Sequence, residues 1–93
     1  MPADATAGQA ADAAAHAFDP AVKLTRMANQ IATFFAHQGG EGAEAREQAV
    51  AAVADHLVKF WDPRMRRQIR AHLAAGGAGL DPLARDAVAR LRD

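Results

Sequence analysis

Cysteine and tyrosine are missing from these 93 residues, and one tryptophan and four phenylalanines are the whole aromatic content. Without cysteine there is no disulfide to brace a small core and no thiolate to hold zinc or an iron–sulfur cluster, an absence in keeping with a reducing compartment. No run approaches the ~18 consecutive apolar residues of a membrane span. Asp4 and Asp12 stand where an export signal would carry Lys or Arg before an apolar run, so the expected location is the cytoplasm. Net charge is missing too, with 11 basic residues against 11 acidic ones, which removes the overall basic surface of a general nucleic-acid binder. Large apolar side chains are scarce: 26 alanines leave only 21 bigger hydrophobic residues. A core this thin is expected to need another polypeptide to finish it, since a chain of this size buries only about 60–65% of its unfolded surface.

Charge is present but uneven. Residues 1–57 hold seven acids and three bases, a net of −4, while residues 58–75 hold five bases and one acid, a net of +4. The basic stretch is also where the tryptophan sits, in the run from His56 to Arg70. Asp-Pro occurs three times, at Asp19-Pro20, Asp62-Pro63 and Asp81-Pro82. Each pair reads as a helix start: the carboxylate accepts a free N–H of the first turn, and proline loses a donor that would have had no partner.

These starts divide the chain. Residues 1–18, rich in alanine and without an apolar stripe, read as a disordered tail, and 19–93 as a single helical domain. A first helix from Pro20 to about His37 places Leu24, Met27, Ala28, Ile31, Phe34 and Phe35 on one stripe. A glycine-rich break follows, then a second helix from about Glu41 to Phe60 with Val50, Val53, Ala54, Leu57, Phe60 and Trp61 along it. A third helix runs from Pro63 to about Ala75, and a fourth from Pro82 to about Arg92 with Leu83, Ala87, Val88 and Leu91 on one face. Leu80 stands where a hydrophobic staple would. No segment alternates like a strand, so the fold class is all-α, a small bundle of three to four helices.

Catalytic signatures are absent: no nucleophile elbow, no HExxH, no Walker loop. Gly76-Gly77-Ala78-Gly79 follows a helix, where a phosphate loop follows a strand, and reads as a linker. His16, His37, His56 and His72 lack the three- or four-residue spacing of metal ligands. The expectation is no catalytic, cofactor-binding or metal site. What remains is a cluster suited to docking on an acidic partner: Lys59, Phe60, Trp61, Arg64, Met65, Arg66, Arg67 and Arg70, with the aromatics as anchors, since Trp and Arg are enriched among hot spots. Met27, Asn29, Gln30 and Phe34 are weaker interface candidates. A rival reading takes the basic helix 63–75 as part of a helix-turn-helix-like DNA-binding regulator; a third, a metal- or cofactor-handling chaperone, requires a bound ion or pterin.

Three blocks resemble a known family. Residues 23–35 (KLTRMANQIATFF), 53–66 (VADHLVKFWDPRMR) and 79–83 (GLDPL) are similar to the delta subunits of bacterial NAD-dependent, molybdenum-containing formate dehydrogenases, a likeness running from residue 23 to about 91. It implies a non-catalytic accessory subunit with no cofactor of its own. In such a complex an alpha subunit carries a bis-molybdopterin guanine dinucleotide (bis-MGD) molybdenum centre and iron–sulfur clusters, and beta and gamma subunits carry FMN, further clusters and the NAD site. The implied partner is the alpha subunit, with no nucleic acid and no membrane. Self-association is an expectation for the isolated chain.

Overall fold

Two of the three Asp-Pro pairs cap helices with their own carboxylates. In the computed structural model, which describes residues 19–92, Asp19 Oδ1 accepts from the Ala21 N–H at 2.9 Å and Asp62 Oδ1 from the Met65 N–H at 2.8 Å. The helices they open are α1, Pro20–Ala36, and α3, Pro63–Ala74. Between them lies α2, Ala43–Phe60, and α4, Pro82–Ala89, ends the series. No strand occurs among the described residues, so the all-α expectation holds. The tail assigned to residues 1–18 lies outside them.

Two helix ends differ from the sequence expectation. α2 begins two residues later than expected, because Gly42 has φ +99°, far from helical. α4 stops at Ala89, three residues early. There the Arg90 and Leu91 N–H groups reach back to Ala87 and Val88, tightening the chain into a last turn that still buries Leu91.

The α3 terminus is a Schellman motif: the Gly77 N–H donates to the His72 carbonyl at 2.9 Å and the Gly76 N–H to that of Leu73 at 3.0 Å, with Gly76 at φ +122°. Three side chains then hold the following loop by its backbone. His72 Nε2, carrying the proton, donates to the Ala78 carbonyl at 2.8 Å; Arg85 donates to the carbonyls of Gly76 and Gly77; and Asn29 Nδ2 donates to that of Gly79 at 2.8 Å. Asn29 Oδ1 also accepts the Asp81 N–H at 2.8 Å. The third Asp-Pro pair is thus fixed from α1, and the Asp81 carboxylate makes no cap.

α1 and α4 each pack against the other three helices. The core between them contains Leu24, Val50, Val53, Leu57, Trp61, Ile69, Leu80, Val88 and Leu91, with Ala28, Ala32, Ala49, Ala84 and Ala87 also buried. Those alanines explain why the expected shortage of bulky residues does not arise. A buried methyl lets two helix backbones approach closely, so less side-chain volume fills the space between them. The buried face of α1 is correspondingly turned: Leu24, Thr25, Ala28 and Ala32 are inside, Met27, Ile31 and Phe35 lie at the edge, and Phe34 is out.

Candidate functional site: an exposed aromatic face

The expected docking cluster divides when its residues are placed. Trp61 is 4% exposed, enclosed by the chain's own core. This corrects two expectations: the indole is not an exposed anchor, and no second polypeptide is needed to cover it. Met65 is half-buried against the same core. Arg66 is turned inward, donating through Nη1 to the carbonyls of Val58 and Trp61, so one arm of its guanidinium satisfies acceptors left over at the end of α2. Arg70 is half-buried and engaged. Lys59 is exposed and pairs with Asp55 at 2.9 Å. Phe60, Arg64 and Arg67 are outside.

Among the weaker candidates, Asn29 is the loop anchor described above, and Phe34 is 57% exposed. The sequence stripe had placed Phe34 on the packed face of its helix. Its ring instead begins a line of aromatic contacts across α1 and α2. Phe34 meets Phe35 edge-on with centroids 5.2 Å apart, Phe35 meets His56 at 6.0 Å, and His56 meets Phe60 at 4.7 Å. The ends of this line are its most accessible parts, with Phe60 at 72% exposure. Gln30, Ile31, Phe34, Phe35 and His56 border an apolar cleft of about 240 Å³ alongside it. His56 and Phe60, four residues apart on α2, share a side of that helix by spacing alone. The meeting of His56 with Phe35 needs the tertiary fold and no sequence pattern reports it.

The chemistry of this face is adhesion. Exposed phenyl rings are poor water-facing groups, and a contiguous set of them marks an interaction surface more often than a lone apolar residue such as the exposed Val58 does. A larger cleft, about 390 Å³, is lined mainly by small residues, with Arg46 at its edge tied to Asp86 at 2.8 Å. Among the described residues no group of three or more His, Cys, Asp or Glu could hold a metal ion, and no helix is long and apolar enough to cross a membrane. The basic helix of the DNA-binding reading turns Arg66 inward and has Arg70 engaged, a thin footing for phosphate contacts.

Neither among curated proteins nor among solved structures is there a match to the chain. A family model does match, over residues 23–88, which is 66 of the 93 positions and takes in most of α1, all of α2 and α3 and most of α4. The aromatic face, the Asn29 anchor and all of the core around Trp61 except Leu91 fall within that span. The chain belongs to the family described as "NADH-dependant formate dehydrogenase delta subunit FdsD".

Proposed function

We propose that the protein is a non-catalytic accessory subunit of a cytoplasmic, NAD-dependent formate dehydrogenase, docked on the molybdenum-containing alpha subunit and supporting its stability or its cofactor-loaded assembly. Family membership supports the complex. The observation that carries docking is the exposed aromatic line ending in Phe34 and Phe60 on a domain whose own core is closed. An isolated enzyme has no use for such a surface, whereas a subunit buries it in its neighbour.

The bis-MGD molybdenum, iron–sulfur clusters, FMN and NAD of such a complex belong in this reading to the other subunits. With no cysteine anywhere in the chain, the donor set here does not fit an iron–sulfur cluster, and no step of the reaction is assigned to these residues. Native mass spectrometry of the chain co-expressed with the alpha subunit tests the proposal. The expected result is a species containing both polypeptides. Separate masses for the two, with no common species at any loading, contradict it.

A further inference from the structure

The aromatic line has a chemical bias that narrows what covers it. Phe60 closes α2, and the corner that follows leads into Arg64 and Arg67, both exposed and without a carboxylate partner among the described residues, while exposed Lys59 pairs with Asp55 and the Asp62 carboxylate caps α3. In chain order, an apolar face across α1 and α2 is thus followed directly by a corner with two exposed arginines. A furrow between two packed helices, bordered by Ile31, Phe35 and His56, suits a third helix presenting its own apolar side chains.

We propose that this face receives an acidic amphipathic helix of the subunit on which the chain docks. One large apolar side chain of that helix enters the cleft between Ile31 and His56, its neighbours lie over Phe34 and Phe60, and its carboxylates meet Arg64 and Arg67. The proposal rests on the docking reading above. A second copy of this chain is the poorer occupant: the twin's matching patch adds the same two arginines, Arg64 and Arg67, to the interface and raises its positive charge where a partner should offset it.

The test is recovery of the alpha subunit with the affinity-tagged full chain at low and at high salt, for wild type, Phe34→Ser and the double variant Arg64→Glu, Arg67→Glu. All three side chains are exposed, so thermal unfolding of the variants is expected to match wild type and to separate loss of docking from loss of fold. Phe34→Ser is expected to lower recovery by about tenfold or more at both salts. The charge reversal is expected to do so at low salt, with the wild-type salt dependence abolished. Wild-type recovery by both variants overturns the acidic-helix assignment and leaves the docking reading standing. Failure of wild type to retain the alpha subunit overturns both. Dimerisation of the lone chain that Phe34→Ser abolishes, seen by sedimentation, overturns the assignment in favour of a second copy.

Discussion

Phe60 and Trp61 are adjacent in the chain and opposite in fate: the phenyl ring is 72% exposed and the indole 4%. The cause is local. α2 ends at Phe60, and Trp61 takes an extended conformation, φ −93° and ψ 137°, so its side chain leaves the helical sweep and swings into the core. Trp61→Ala should then cost about 3–5 kcal/mol of stability, as deletion of a buried aromatic does, while Phe60→Ala should stay within about 0.5 kcal/mol of wild type. Urea unfolding followed by far-ultraviolet circular dichroism checks both. Equal effects would show that the two rings are not divided between core and surface.

The two kinds of helix start give a second contrast. Asp62→Ala removes a carboxylate that caps α3 and should cost about 1 kcal/mol, whereas Asp81→Ala removes one that caps nothing and should cost under about 0.5 kcal/mol. Asn29→Ala breaks two hydrogen bonds to the loop before α4 and leaves backbone groups short of partners, an expected loss of about 1–3 kcal/mol. Urea midpoints for the three variants check the order.

That loop and the corner after α2 show what the sequence made legible. The three Asp-Pro starts, the glycine breaks and the apolar spacing located four helices to within a few residues, because those signals act over one turn of chain. Asp81 was misassigned as a side-chain cap because its partner, Asn29, lies 52 residues away. Trp61 leaves the expected arrangement because its own backbone turns extended after Phe60. Phe34 leaves it because the buried face of α1 centres on Leu24, Ala28 and Ala32; the apolar stripe holds Ala28 but not Ala32, and with Ala32 inside, Phe34 is outside. In the candidate docking site, Arg64 and Arg67 are legible as outward-facing residues, while Phe60, like Phe34, stands both on an apolar stripe and among the interface candidates and is found outside. The Phe35 to His56 contact joining the face together is not legible.

Backbone handedness supplies a third prediction. Gly40 and Gly77 both have left-handed φ, +76° and +66°, but a Cβ at Gly40 meets nothing within 4 Å, while one at Gly77 lies 3.0 Å from Leu73 Cδ1 and 3.2 Å from Arg85 Nη1. Gly40→Ala should lose about 1–2 kcal/mol from conformation alone. Gly77→Ala should lose somewhat more, because the Leu73 methyl and the Arg85 guanidinium, which holds the loop, must also give way. Thermal unfolding of the pair measures the difference.

The exposed pair Glu47 and Arg90, 2.5 Å apart and joining α2 to the end of α4, makes stability depend on pH in a definite direction. The hydrogen bond from Arg90 holds the Glu47 carboxyl below its ordinary value of 4.5. A lowered folded-state pKa means the contribution is complete above the ordinary value and disappears as pH falls through the lowered one. Glu47→Gln should therefore separate from wild type in unfolding midpoint near neutral pH, with the gap closing in acid and shrinking with salt. Midpoints at neutral and acidic pH check it.

The central claim, that a chain with a closed core carries an aromatic face for the alpha subunit, is tested most directly by the affinity of Phe60→Ala for that subunit, measured beside its unfolding midpoint. The account predicts an unchanged midpoint with binding weakened by about 2 kcal/mol or more, the loss of a hot-spot side chain. Wild-type affinity in a fully folded Phe60→Ala chain would contradict it.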